Sequence, residues 1–259
     1  MRRRTYLARA QRLVSLPRRP RYFIGPALAS TLGAGATAAL TGGGTTVISG
    51  AVLGGDGPCH RGCALLWHGD NHLGSVDAVV LPGGFAHGDY LRPGALARFS
   101  PVMDAVAAFA RAGGPVVGIC NGFQVLTEAG LLPGALQKNG RLRFLCEPAR
   151  LVVASTSSVL TSGSRVGDEL TVPINHFSGN YTCDAETLRR LQDEDRVVLR
   201  YADNPNGSVD AIAGIANEAG NVVGLMPHPE RASRALLGSV DGLVLLRALV
   251  AAATARTAA

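Results

Sequence analysis

From Ala64 onward, short solid apolar runs alternate with longer stretches in which apolar residues recur every three or four positions. The solid runs have strand character. Ala64–His68 (ALLWH) reads as a short strand, Asp77–Pro82 (DAVVLP) as a buried parallel strand, and Pro115–Ile119 (PVVGI) as a second buried strand. Between the last two, Leu96, Phe99, Met103, Val106 and Ala110 fall at helical spacing, which predicts one amphipathic helix within GALARFSPVMDAVAAFARAGG. A helix is expected from about Asn121. A hairpin turning at Glu218–Asn221 is expected within DAIAGIANEAGNVVGLMP, and a final helix in GLVLLRALVAAATA. Strands alternating with helices predict α/β layers around a mainly parallel sheet. The chain has no internal repeat.

Residues 1–63 break this rhythm. Residues 1–22 are basic and interrupted by proline, and residues 25–55 carry no charge and are rich in Gly, Ala and Thr. The segment has the outline of a targeting leader or a weak span. Pro26 and the many glycines keep its hydrophobicity modest, so no membrane association is expected. The expected division is therefore 1–63, an atypical Arg/Ala/Gly-rich segment, and 64–259, the folded domain.

Charge is distributed just as unevenly. The net charge is +6, but residues 1–55 hold eight of the 25 basic side chains and none of the 19 acids. The remainder carries 17 basic against 19 acidic groups. Counterion release on nucleic acid needs a basic face, and only the leader offers one, so nucleic-acid binding is not expected. The five cysteines are odd in number and irregularly spaced, which fits a reducing compartment better than a disulfide framework.

Candidate chemistry gathers at the C-terminal ends of the two buried strands. A right-handed crossover places those ends on one edge of the sheet, where ligands bind in open α/β folds. One end carries Gly83-Gly84. The other carries Gly118-Ile119-Cys120-Asn121-Gly122, a G-x-nucleophile-x-G elbow with cysteine in place of serine. Such a turn exposes the thiol, and the helix start that follows favours thiolate. Backbone N–H groups of Gly84 and Asn121 are candidate oxyanion donors. Taken alone, Cys120 reads equally well as a small buried core residue, as Cys146 and Cys183 are read here. A thiol nucleophile needs a base. His228 ends an apolar strand between Pro227 and Pro229, and Glu230, two residues on, faces the same way in extended chain and can orient it. An isolated His-Pro-Glu is ordinarily a surface turn; with the elbow it completes a nucleophile, a base and an orienter.

The segments LPGGFAHGDYLRPGALARFS, GICNGFQVLTEAGLLPGAL, PINHFSGNY, NPNGSVDAIAGI and GNVVGLMPHPERA occur in this order and together resemble the class I glutamine amidotransferases. Within them, the chain looks most like the glutaminase subunits that serve phosphoribosylformylglycinamidine synthases. The resemblance runs from about Ala64 to Val250. It implies a three-layer, flavodoxin-like open sheet and a cytoplasmic role in purine biosynthesis. It also implies hydrolysis of glutamine to glutamate and ammonia through a cysteine thioester. The implied partners are a large synthetase subunit, which would use the ammonia to aminate formylglycinamide ribonucleotide, and a small bridging subunit. No cofactor is implied on this chain, and ATP and Mg would lie on the synthetase. The absence of a G-x-x-x-x-G-K-[ST] loop fits that division. By the same resemblance, Cys120 would be the nucleophile, His228 the base and then acid, and Glu230 its orienter. Gly84 and Asn121 would hold the oxyanion. Gln124 would help hold glutamine, and the loop around His176 would face its amino and carboxylate groups.

Other motifs carry less. Gly33-x-Gly35-x-x-Ala38 has no strand leading into it and is a weak dinucleotide signal. Cys59, His60, Cys63, His68 and His72 have zinc-binding side chains, but Leu65–Asp70 is already accounted for by the resemblance, so no metal is expected. His87 reads as a loop residue. The resemblance fails at its start: the first strand, the Pro-Gly-Ser-Asn-like loop and the first helix have no counterpart ahead of LLWHGD. A misassigned start or reading frame is the expected explanation. A divergent first strand drawn from TTVISGAVL and a degenerate, catalytically impaired subunit are the alternatives. Another cysteine hydrolase built on the same elbow is the remaining enzymatic reading.

Overall fold

The computed structural model describes residues 37–42, 47–52, 63–84 and 93–258. A ten-stranded sheet organises them. Its first strands are β1 (Thr37–Gly42), β2 (Val47–Val52), β3 (Cys63–Trp67), β4 (Ala78–Leu81) and β5 (Val116–Ile119). After a short β6 (Ala135–Gln137) come β7 (Leu145–Val153), β8 (Glu169–His176) and a short β9 (Asn180–Thr182). The last three strands are β10 (Val197–Tyr201), β11 (Ile212–Ala216) and β12 (Val222–Leu225). The order across the sheet is β3-β2-β1-β4-β5-β12-β11-β10-β7-β8, with β6 and β9 paired separately.

The α/β reading holds, but the sheet is mixed rather than mainly parallel. Parallel pairing is confined to β1-β4-β5-β12, and every other neighbouring pair is antiparallel. For β11 and β12 the reason is connection length. A parallel neighbour needs a crossover of a dozen or so residues, whereas the link from β11 to β12 is a tight turn closed by Gly220 N–H donating to Asn217 O. The expected hairpin is thus present, with Gly214 opposite Leu225 and Ala216 opposite Val223.

Burial explains which strands show in the sequence. β4, β5, β11 and β12 are buried at every position, because both of their faces are covered. These are the solid apolar runs. β8 instead alternates strictly between more and less buried residues, with one face on the core and one toward solvent.

The single helix expected after β4 is two: α1 (Pro93–Ala97) and α2 (Val102–Arg111). Pro101 lacks an N–H and stands at the N-cap of α2, where that absence is harmless, and the chain turns through Phe99 and Ser100 before it. The helical period therefore does not run through. Val102, Met103, Val106 and Ala110 face the core, while Leu96 and Phe99 are 49% and 73% exposed.

Helix α3 (Asn121–Glu128) lies against the central strands and sets the site. A methyl group at Gly122 would overlap the carbonyl oxygen of Leu81 on β4. One at Gly118 would stand 2.6 Å from the Gly122 carbonyl carbon, and one at Gly224 would run into the ring of Phe123. Three glycines thus let the helix settle on the sheet, and Phe123 and Leu126 are fully buried beneath it. Each such side chain contributes roughly 1.5–3 kcal/mol of burial. Helix α4 (Ala185–Asp193) is capped by Asp184, whose carboxylate accepts from Thr187 N–H. Helix α5 (Gly242–Ala258) closes the chain as expected, buried through Leu245, Leu246, Leu249 and Ala253. Among the described residues, no helix is long and apolar enough to cross a membrane.

Two expectations fall within residues 1–63. The strand beside β4 is Thr37–Gly42, paired through Ala38 with Ala78 and Ala39 with Val79. The stretch Val47–Val52, inside TTVISGAVL, lies one place farther out, between β1 and β3. The basic leader, Gly33, Gly35, Cys59, His60 and His87 lie outside the described residues.

Candidate active site

Cys120 sits where β5 ends and α3 begins, at φ 53° and ψ −108°. Positive φ in a residue with a Cβ is strained. The surroundings fix it: Cys120 N–H donates to Leu225 O across to β12, and Cys120 O accepts from the N–H groups of Phe123 and Gln124. The turn carries the thiol out of the sheet toward Asn175, whose carbonyl oxygen lies 3.8 Å from Sγ. Cys120 is nevertheless buried, 2% exposed.

The candidate base arrives from the neighbouring strand. β12 pairs with β5 in parallel register, Leu225 beside Ile119, so the residues that follow each strand emerge side by side. His228 N–H donates to Pro173 O on β8, which pins the strand extension across the sheet edge. The chain then tightens into a 3₁₀ turn, Pro229–Arg231, and this turn brings Glu230 Oε1 within 2.6 Å of His228 Nδ1. Sequence spacing anticipated this contact, but through extended chain; the turn supplies it. A carboxylate accepts only, so Nδ1 carries the hydrogen and Nε2 is left for the thiol. Cys120 and His228 converge over Gly83: a methyl group there would lie 2.6 Å from His228 Cε1 and 3.0 Å from Cys120 Cβ. Burial disfavours charge on His228, but the Glu230 carboxylate and the Cys120 sulfur outweigh it and raise its pKa to about 10. Burial likewise opposes charge on Glu230, and His228 prevails, holding that carboxyl below its ordinary range.

These groups line a cavity of about 160 Å³, well below the ~300 Å³ or more typical of drug-sized ligands. It suits a small substrate. Gly84 and Asn121 lie on its wall and are joined to each other, since Asn121 Nδ2 donates to Gly84 O at 2.7 Å. Gln124 also faces the cavity, and its Nε2 donates to Ser178 O at 2.7 Å. It therefore ties helix α3 to the Phe177–Gly179 loop in addition to facing the pocket. His176 closes the wall from the end of β8 and is 3% exposed. Burial, and then the charge of His228, lower its pKa to about 4. Every residue singled out from the sequence for catalysis, oxyanion stabilisation or substrate binding is thus brought to one cavity.

Further residues complete the lining. Asn175 contributes a carbonyl, Phe144 an exposed apolar rim, and Arg231 an exposed cation at the mouth. Asn139 stands behind His176, with its Oδ1 at 3.1 Å from Nδ1. Its only local signal was an Asn-Gly pair, which reads as a turn. Cys146 is exposed rather than buried, because it lies on the outward-facing stretch of β7, and Cys183 is half-buried. Among the described residues, no group of three or more His, Cys, Asp or Glu side chains is placed to hold a metal ion.

Comparison with known proteins points the same way. A family model described as a CobB/CobQ-like glutamine amidotransferase domain matches residues 58–241. The phosphoribosylformylglycinamidine synthase subunit PurQ of Rubrobacter xylanophilus is 59% identical over 188 residues, which cover 73% of this chain and 86% of that protein. The subunit of the same name from Koribacter versatilis is 53% identical over 200 residues, covering 74% and 87%. Among solved structures, one chain of PurLQS from Thermotoga maritima superposes with a TM-score of 0.64 at 41% identity, covering 70% of this chain and 82% of that one.

Proposed function

The chain belongs to the CobB/CobQ-like glutamine amidotransferase family, and from that premise we propose that it works as the glutaminase subunit of a phosphoribosylformylglycinamidine synthase. The observation that carries this reading is the junction of Cys120, held at positive φ, with the His228–Glu230 pair over Gly83. The Cys120 sulfur attacks the side-chain carbonyl carbon of glutamine, and the developing oxyanion meets the N–H groups of Gly84 and Asn121. Protonated His228 gives its proton to the amide nitrogen, which leaves as ammonia, and a glutamyl thioester remains. His228 then takes a proton from water, whose oxygen adds to the thioester. Collapse expels the Cys120 sulfur and releases glutamate. The sum is glutamine and water to glutamate and ammonia. Glu230 keeps the imidazole oriented throughout and stabilises its charged form. The strained Cys120 backbone keeps the sulfur facing the pocket in the absence of substrate.

The ammonia passes to a large synthetase subunit, which aminates formylglycinamide ribonucleotide with ATP, and a small bridging subunit joins the two. ATP and Mg²⁺ are held by the synthetase, and the complex is cytoplasmic. Residues 64–259 form the amidotransferase domain, and residues 1–63 depart from the family pattern. The names of the relatives and the PurLQS likeness support the partners. The start of the family match at residue 58 supports the division.

The decisive experiment is labelling with a glutamine-analogue alkylator, diazo-oxo-norleucine, in the presence of the synthetase partner. The adduct is expected on Cys120 and is expected to be blocked by glutamine. Correctly folded protein that takes no label would overturn the glutaminase reading and leave a subunit that only docks. Cys120→Ala is expected to abolish glutamine hydrolysis while leaving synthesis from free ammonia intact.

A further inference from the structure

Asn139 lies outside the pocket wall yet fixes the chemistry of a residue on it. It is 1% exposed. Its Nδ2 donates to the carbonyl oxygens of Arg143 at 2.8 Å and His176 at 3.0 Å. Its Oδ1 accepts from Gly179 N–H at 3.1 Å and faces His176 Nδ1 at 3.1 Å. With both amide hydrogens committed to carbonyls, the orientation of the side chain is settled. An amide oxygen cannot donate, so the hydrogen of that last contact belongs to Nδ1. In a neutral ring, Nε2 then carries a lone pair. The ring is neutral: burial and the charge of His228, the titratable side chain acting on it across the pocket, lower its pKa to about 4. Nε2 is buried and has no hydrogen-bond partner among the described residues. Buried acceptors in folded proteins are nearly always satisfied. Left unsatisfied on a residue that lines the same cavity as Cys120, this acceptor calls for a donor that the described residues do not supply.

We propose that Asn139 is a positioning residue that locks His176 in its Nδ1–H tautomer, so that Nε2 accepts a hydrogen bond from an N–H group of glutamine. The proposal rests on the glutaminase reading and adds a direction to its substrate recognition: this wall takes a donor. Glutamine offers two kinds, the α-ammonium and the side-chain carboxamide. Should the carboxamide be the donor, hydrolysis replaces it with a carboxylate oxygen that faces a lone pair, which favours release of glutamate.

Four measurements on the full chain, assembled with its synthetase partner for the kinetics, test it. Imidazole ¹⁵N resonances assigned to His176 are expected to show protonated Nδ1 and unprotonated Nε2 from pH 5.5 to 8. The opposite tautomer, or a ring that titrates near 6.5, overturns the proposal. His176→Phe is expected to raise the KM for glutamine about tenfold, the loss of one hydrogen bond to a well-placed donor, with a smaller change in kcat. Competitive inhibitors then identify the donor. Glutaramate lacks the α-ammonium, and glutamate γ-methyl ester lacks the carboxamide N–H. The analogue missing the recognised group binds wild type and His176→Phe equally well, and the other loses about tenfold. Equal losses for both analogues, or no loss for glutamine, overturn the proposal. Asn139→Asp is expected to protonate both ring nitrogens at neutral pH and to raise the glutamine KM by a similar factor; a ring that stays neutral with KM unchanged counts against it. If these measurements go against the proposal while Cys120 in the variants still takes the label, the tautomer assignment has failed and the glutaminase reading has not.

Discussion

At the scale of single residues, Glu230 and His228 form a unit whose behaviour follows from charge. The carboxylate helps hold the imidazole pKa near 10 against the pull of burial. Glu230→Gln removes that charge and leaves an amide in its place. The His228 pKa is expected to fall, so the alkaline limb of the glutaminase pH–rate profile moves to lower pH. The folded state should lose about 2 kcal/mol, the scale of a buried hydrogen bond to a charged group; urea unfolding of the variant measures it. The triad was legible in the sequence because its parts are local. A glycine two places either side of Cys120, and a glutamate two places after His228, are short-range facts. The side chain of Asn139 was not legible, because its role arises from a contact 37 residues away in the chain.

At the scale of elements, the glycines decide how closely helix and strands approach, and two of them separate fold from chemistry. At Gly83, an added methyl group meets His228 and Cys120. Gly83→Ala is expected to leave the melting temperature within a few degrees while lowering kcat/KM about 100-fold, since a displacement of roughly 1 Å at reacting groups costs that much. At Gly122, the added methyl group meets the Leu81 carbonyl, a backbone atom that cannot swing aside. Gly122→Ala is expected to cost about 3 kcal/mol by overpacking and to lower the melting temperature by roughly 10 °C in differential scanning fluorimetry. The sequence pattern marked Gly118 and Gly122 as an elbow; the structure adds that they are also the contact surface between α3 and the sheet. Helical periodicity misled between Leu96 and Met103, where the first helix ends at Ala97, the chain turns and Pro101 caps the next helix. Its spacing argument treated the proline as neutral, but a missing N–H and a fixed φ are strong local terms.

At the scale of the whole molecule, two histidines titrate in opposite senses. His176 is held neutral, with its pKa lowered from 6.5 to about 4. Below pH 6.5 the unfolded chain takes up a proton that the folded one refuses, so stability falls as pH drops toward 4. This amounts to about 2 kcal/mol between pH 6.5 and 5. His228 is raised from 6.5 to about 10, so its contribution is complete below 6.5 and is lost as pH climbs toward 10. Melting temperature is therefore expected to peak near pH 6.5 and decline on both sides. His176→Phe should flatten the acid side only. The α/β class and the central strands were legible from solid apolar runs. The antiparallel flank was not, because the alternation of β8 and the mixed burial of β7 are weaker signals than a solid run, and strand order depends on connections that apolar pattern does not encode. Residues 1–63 mark the limit of pattern: the register of Ala38 with Ala78 and Ala39 with Val79 has no counterpart in a solid apolar run.

The parallel pairing of β5 with β12 has a consequence for how the enzyme ages. Cys120 and His228 hang from adjacent central strands, joined by the bond from Cys120 N–H to Leu225 O. Strands of this kind exchange their amide hydrogens only when the whole domain opens. The proposed catalytic pair therefore has no private way to fall apart. Loss of activity on heating should follow the same time course as global unfolding, so the working lifetime of the subunit is the lifetime of its fold.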